Sequence, residues 1–167
     1  IRDRLWDIAN TTRRRDLDAP LLYGLGTDDC HNYHNASGST PGRGWVMVRA
    51  RECTAKALLD AIERGDFYAS SGVTLKDVTF DGAVLAVTIA GREDAAYVTE
   101  FIGTRADGEP GEVLARVDGL RPSYTLRGDE LFVRATVTST LPPQNPVWSG
   151  QRRQAWVQPV TPGPRRR

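Results

Sequence analysis

Asp28, Asp29, Cys30, His31 and His34 fall within seven consecutive residues and include both histidines of the 167-residue chain. Side chains alternate along an extended segment, so Asp29 and His31 project to one side while Asp28 and Cys30 face the other. An Asp-x-His pair offers one hard oxygen and one imidazole nitrogen, a donor set suited to zinc, manganese or iron; calcium would call for more oxygens. His34 can add a further nitrogen or move a proton, and Asp28 is the adjacent carboxylate for the same acid–base work. Cys30 is a weaker candidate ligand than the carboxylates and imidazoles beside it. Two donors fall short of the three protein ligands that a catalytic metal normally has, so the others are expected elsewhere. An isolated Asp-x-His also suits a polar turn with capping carboxylates and a surface histidine.

The elements that would position this cluster are read from periodicity. Leu5, Trp6, Ile8 and Ala9 recur at helical spacing between charged residues, predicting a helix over 3–15 that Asp18-Ala19-Pro20 ends. The apolar run over 21–26 is predicted as a strand buried on both faces, which places the acidic and histidine residues at its carboxyl end, where α/β sheets carry their chemistry. Residues 36–43 read as an exposed loop and 44–50 as a second buried strand. Thr54 is a candidate N-cap for a helix with the stripe Ala55, Leu58, Leu59 and Ile62, closed by Arg64-Gly65. Residues 67–70 return as a short extended segment. From 73 onward the pattern changes to seven short, mostly alternating runs, over 73–80, 84–89, 97–103, 112–117, 123–127, 131–139 and 155–158. Turn dipeptides such as Asp81-Gly82, Asp107-Gly108 and Gly128-Asp129 fall between them, which predicts an antiparallel sandwich. The expected organisation is an α/β portion over 1–72, a β-sandwich over 73–158 and a loose Pro/Arg tail over 159–167.

Composition bounds the function classes. Hydrophobic residues at 40% and charged residues at 26% match a soluble globular protein. A net charge of +1 supplies no field for steering nucleic acid or anionic lipid, so neither a nucleic-acid nor a membrane partner is expected. No run approaches the roughly 20 apolar residues of a membrane span, and no signal peptide is seen. The chain starts at Ile1 and not Met, as a fragment or processed product would. Cys30 and Cys53 are expected to be reduced.

Three stretches together resemble a known family. These are Pro20-Leu21-Leu22-Tyr23-Gly24-Leu25-Gly26-Thr27-Asp28-Asp29-Cys30-His31-Asn32-Tyr33-His34, then Gly42-Arg43-Gly44-Trp45-Val46-Met47-Val48-Arg49-Ala50, then Ala57-Leu58-Leu59-Asp60-Ala61-Ile62-Glu63-Arg64-Gly65-Asp66-Phe67-Tyr68-Ala69-Ser70-Ser71-Gly72. With the preceding helix they resemble, over roughly residues 3–72, the carboxyl-terminal part of a PHP-type (polymerase and histidinol phosphatase) metal-dependent phosphoesterase. The resemblance implies the last strands and helices of a distorted (β/α)7 barrel, so the fold class expected is α/β followed by all-β. It implies Asp29 and His31 as metal ligands, matching that family's final Asp-x-His, with a divalent ion such as zinc, manganese or iron. It also implies hydrolysis of a phosphate ester by a metal-bound hydroxide, with Arg43 or Arg49 approaching the phosphate. The family's other ligands would lie upstream of Ile1, so the partner implied is the missing amino-terminal part of the barrel, and this chain alone would be inactive.

The alternative from another class is a non-catalytic binding or packing module built on the sandwich. Trp148, Trp156, Tyr97 and Tyr124 could stack on a sugar, although core packing is the commoner use of such aromatics. Asp118, Asp129 and Glu130 lack the regular spacing of a calcium loop. Ser70 and Ser71 precede Gly72 without a Gly-x-Ser-x-Gly elbow.

Overall fold

The computed structural model describes residues 2–34 and 38–163. Two helices and nine strands form in the order α1 (Arg2–Arg15), β1 (Trp45–Val48), α2 (Ala55–Glu63), β2 (Phe67–Ser70), β3 (Leu75–Phe80), β4 (Val84–Ile89), β5 (Tyr97–Arg105), β6 (Glu112–Asp118), β7 (Ser123–Thr125), β8 (Glu130–Ser139) and β9 (Gln154–Val157). A six-stranded sheet has the order β1-β2-β9-β8-β5-β6, and a three-stranded sheet has the order β3-β4-β7. All pairings between these strands are antiparallel.

Alternation along β8 organises the layers. Val133, Ala135 and Val137 join one core with Leu85, Val87 and Ile89 of β4. Phe101 stacks on Tyr124 across the two sheets at 5.7 Å between ring centroids. Arg134 and Thr136, the intervening residues, are equally buried and take polar partners instead. Arg134 donates from Nε and Nη2 to the two carboxylate oxygens of Asp7 at 2.6 and 2.8 Å and lies 4.9 Å from the Trp6 ring centroid. Thr11 and Thr104 share a hydrogen bond of 2.8 Å beside this pair. Helix α1 therefore buries Asp7, Asn10 and Thr11, while Leu5 and Ile8 of its apolar stripe are exposed. This reverses the face expected from periodicity, because the sheet presents a cation and a hydroxyl where an apolar surface was expected.

The (β/α)7 barrel expectation is overturned. With two helices, two antiparallel sheets and no closed barrel, the described residues do not form the last strands and helices of one. Although α2 lies between β1 and β2, these strands pair antiparallel, with Trp45 opposite Ser70 and Val48 opposite Phe67. A parallel βαβ unit needs the connection to cross to the opposite end of the sheet, and here it turns back at the same end. The run over 21–26, expected as a strand, joins neither sheet, and Leu22 and Leu25 are 43% and 62% exposed. The large sheet also takes strands from both sides of residue 72.

Local signals nonetheless fix several elements. The Thr54 hydroxyl accepts the Ala57 N–H at 3.3 Å at the start of α2, and Gly65 follows its end at φ +78°, where tolerance of the left-handed region is required. Past β9 the chain stays attached: Pro159 is buried and Val160 exchanges both backbone hydrogen bonds with Val133 at 2.8 Å. The looseness expected over 159–167 thus fails at the start of that stretch, and residues 164–167 lie outside those described. No helix among the described residues is long and apolar enough to cross a membrane.

Candidate metal centre

Residues 22–26 pass from the middle of α1, at Trp6 and Asn10, to β1 and β2, at Trp45 and Ala69, and two amide side chains hold the segment. Asn10, fully buried, accepts the Leu22 N–H at Oδ1 (2.7 Å) and donates from Nδ2 to the Leu22 carbonyl (3.2 Å). Gln158 repeats the arrangement two residues on, accepting the Gly24 N–H at 2.8 Å and donating to the Gly24 carbonyl at 2.9 Å. Trp6 Nε1 adds a 2.8 Å bond to the Leu22 carbonyl. The glycines allow this approach: a Cβ on Gly24 would stand 3.0 Å from the Trp6 ring, and one on Gly26 would stand 3.1 Å from the Ala69 Cβ. Tyr23 packs edge-on against Phe67 at 6.1 Å.

Asp28 anchors the returning loop. Its carboxylate accepts the backbone N–H groups of Gly42 at 2.9 Å, Arg43 at 2.5 Å and Gly44 at 2.6 Å. Burial raises the pKa of this carboxyl, but the hydrogen bonds from Gly44, Gly42 and Arg43, with the Arg43 charge, outweigh it and hold the group below its ordinary value. Asp28 is thus occupied as a structural acceptor.

Asp29 and His31 are brought together, by a different device from strand alternation. Asp29 takes φ +48°, a left-handed conformation that aspartate tolerates better than most residues. The turn this makes puts His31 Nδ1 2.8 Å from the Asp29 carbonyl oxygen and 3.9 Å from its Oδ1. A carbonyl only accepts, so Nδ1 is the donor in this contact, and in the neutral ring that tautomer has its lone pair on Nε2. A histidine whose second nitrogen is held by a backbone carbonyl is oriented as metal-bound histidines commonly are. Both side chains open to solvent, Asp29 at 87% and His31 at 72% exposure.

The other candidates lie apart or are committed elsewhere. His34 is exposed and lines a polar cleft with Asn32, Tyr33, Thr40 and residues Gln144 and Asn145 of the β8–β9 connection. That connection is tied down by the Asn145 amide, which donates to Thr40 Oγ1 and to the Pro41 carbonyl. Its approach to the loop was not legible in the sequence, which carries no local mark of it. Arg43 sits at the loop and its buried Nε finds no partner. Arg49 donates to Asp77 at 2.5 Å and lies beyond the far end of β1, which at about 3.4 Å per residue places it roughly 15–20 Å along the chain from Arg43. It does not belong to the same cluster. Cys30 Sγ points to the Asn32 carbonyl at 3.8 Å, and Cys30 and Cys53 are both free. Among the described residues no three His, Cys, Asp or Glu side chains gather to hold a metal ion.

The competing polar candidates are satisfied internally. Ser70 Oγ donates to the Val73 carbonyl at 2.7 Å and Ser71 Oγ accepts the Gln154 N–H at 2.9 Å. Glu130, nearly fully buried, accepts the Tyr124 hydroxyl and the Arg127 and Gly128 N–H groups. Burial raises its pKa, yet these donors outweigh it and keep the carboxyl below its ordinary value, which leaves no free oxygen face for calcium. Tyr97 and Tyr124 are core residues, Trp156 is half-buried and donates to Asp3 at 2.9 Å, and Trp148 is 62% exposed.

Comparison with protein-family models, with curated proteins and with solved structures finds no match to this chain.

Proposed function

We propose that residues 28–34 form one part of the divalent-metal site of a phosphoester hydrolase, with the remaining ligands supplied by polypeptide outside these 167 residues. The observation that carries this reading is the pairing of Asp29 and His31, two solvent-facing donors on a loop fixed from behind by Asp28, with the histidine oriented by a backbone carbonyl. The donor set fits zinc, manganese or iron, and a catalytic ion would need at least one further protein ligand. When bound, such an ion supplies charge neutralisation at the phosphoryl oxygens and lowers the pKa of water. Asp29 and the His31 Nε2 would hold it, Asp28 keeps the loop in register, and Arg43 on the returning loop would meet the phosphate. His34 faces the adjoining cleft, where it can move a proton to a leaving group. Similarity of the loop to PHP-type phosphoesterases supports the chemistry at the level of these residues and not of the fold.

The test is a screen of phosphate mono- and diesters with protein expressed from its complete reading frame. Asp29→Ala and His31→Ala are each expected to lower turnover at least a hundredfold, about 2.7 kcal/mol of barrier, while Arg49→Ala leaves it within about twofold. Equal turnover in all four proteins rejects the assignment.

The alternative of a binding module rests on a different observation. A cleft of about 590 Å³ opens between the two sheets, with Phe67, Tyr68 and Leu75 in its floor and the Arg49–Asp77 pair at its rim.

A further inference from the structure

The two sheets enclose a cleft at one end of the sandwich. There β3 is the outer strand of the small sheet, and β1 and β2 are the last two strands of the large one. The cleft between them has a volume of about 590 Å³, the size of small-molecule sites. Phe67, Tyr68, Leu75 and Val157 in its lining are all buried and make an apolar floor. Arg49, which follows β1, pairs with Asp77 of β3, so this ion pair crosses from one sheet to the other. Both partners are at least half exposed, and a pair so exposed holds the mouth only weakly. Arg64 pairs with Asp66 on the same lining at 2.9 Å. Lys76 is the third cation, and among the described residues no carboxylate pairs with it. Three cations against two carboxylates leave one positive charge unmatched. Tyr68, 8% exposed, adds a donor in the floor: its hydroxyl accepts the Leu75 N–H at 2.9 Å, and its own proton reaches no acceptor among the described residues. Burial raises the pKa of this hydroxyl and outweighs the Leu75 bond, so it stays protonated at neutral pH.

We propose that this cleft binds a small organic monocarboxylate with an apolar body, the body lying on Phe67, Leu75 and Val157 and the carboxylate meeting the Tyr68 hydroxyl and Lys76. The charge of the lining selects the occupant: the two carboxylates are already matched by arginines, so a ligand cation finds no free partner, whereas a single negative charge completes the set. The unspent hydroxyl proton calls for an acceptor, and a carboxylate supplies the strongest one. Because that hydroxyl sits on the backbone of Leu75, one residue from Lys76, a single group can reach both. The apolar floor demands a body that acetate or phosphate lacks. The proposal rests on the binding-module alternative and gives no part to Asp29, His31 or a metal.

The test titrates octanoate, below its micelle concentration, into the isotope-labelled 167-residue protein at neutral pH and follows the amide resonances by NMR, with 1-octanol, octylammonium and acetate in parallel. Octanoate should shift Tyr68, Leu75 and Lys76 saturably, at least tenfold tighter than octylammonium or acetate and at least threefold tighter than 1-octanol. Lys76→Gln, at an exposed position, should weaken octanoate at least fivefold and 1-octanol less than twofold. Absence of a saturable octanoate shift, shifts confined to surfaces outside the cleft, octylammonium or 1-octanol binding as tightly as octanoate, or undiminished octanoate affinity in Lys76→Gln would each overturn the proposal. Preference for the neutral or the cationic probe would leave the binding-module reading standing without its monocarboxylate, and silence from all four would remove both. Neither result bears on the Asp29–His31 assignment, since no probe and no cleft residue belongs to it.

Discussion

Removing the Asp7 carboxylate should be among the most damaging single changes in this protein, and its size follows from the geometry. Arg134 is 1% exposed and uses Nε and Nη2 on Asp7 at 2.6 and 2.8 Å, with Nη1 on Thr136 at 2.8 Å. Asp7→Ala deletes both charge-assisted bonds and leaves a guanidinium out of water, facing only a hydroxyl and the Trp6 ring. Breaking a buried pair in this way costs about 3–5 kcal/mol, roughly a fifth or more of the stability of a typical domain. For a chain of this size that lowers Tm by roughly 6–20 °C. Replacing the whole pair, Asp7→Leu with Arg134→Met, removes the stranded charge along with the bonds, so the double variant should be more stable than Asp7→Ala. Urea unfolding followed by tryptophan fluorescence measures both, since Trp6 lies against Arg134. A cost below about 1 kcal/mol for Asp7→Ala, or a double variant weaker than the single, would refute the claim that α1 is docked through a buried ion pair. Because Asn10 and Trp6 on α1 hold Leu22, the same variant should also speed amide exchange at Leu22.

Two further outcomes follow from the loop. The Asp28 carboxyl lies below its ordinary value of 3.8, so its contribution is full above the unfolded-state value and is lost as pH falls through the lower folded one. NMR shifts of the Gly42, Arg43 and Gly44 amides should hold steady from neutral pH to about pH 4.5 and move only below the usual aspartate range, whereas titration at or above pH 4 contradicts the anchor; Asp28→Ala should speed their exchange at least tenfold. Gly24→Val forces a side chain to within 3.0 Å of the Trp6 ring and should cost about 1–3 kcal/mol in urea unfolding, while Gly42→Ala, at φ +83° with nothing within 4 Å of the added carbon, should cost about 1–2 kcal/mol through its backbone alone; a cost below about 0.5 kcal/mol for Gly24→Val would remove the packing argument.

What the sequence disclosed and what it hid divide along the distance of the deciding partner. Helix α2 is legible because Thr54 and Gly65 act within a turn of its ends, and β3–β9 because alternation and turn dipeptides are local. The stripe Leu5, Ile8 on α1 misleads because the residue that selects the opposite face, Arg134, lies 127 positions away from Asp7. The run over 21–26 reads as a buried strand since its composition is apolar, yet composition cannot reveal that Asn10 and Gln158 take its hydrogen bonds or that Gly24 and Gly26 are needed for close approach. That run suggests an α/β sheet and the resemblance implies a barrel, and neither carries information about how β1, β2 and β9 pair. Within the loop, Asp29 and His31 lie close through a left-handed turn at Asp29 that sequence spacing does not show. The role of Asp28 depends on a loop that returns 14 to 16 residues later, and a neighbouring carboxylate in a metal-like cluster gives no sign of it.

The central claim is that Asp29 and His31 are ligands of a shared metal site, and metal content tests it most directly. Elemental analysis after dialysis should find zinc, manganese or iron in protein expressed from its complete reading frame, little or none in residues 1–167 alone, and a loss of at least tenfold on Asp29→Ala or His31→Ala in the former. Metal retained undiminished in both variants would contradict the account.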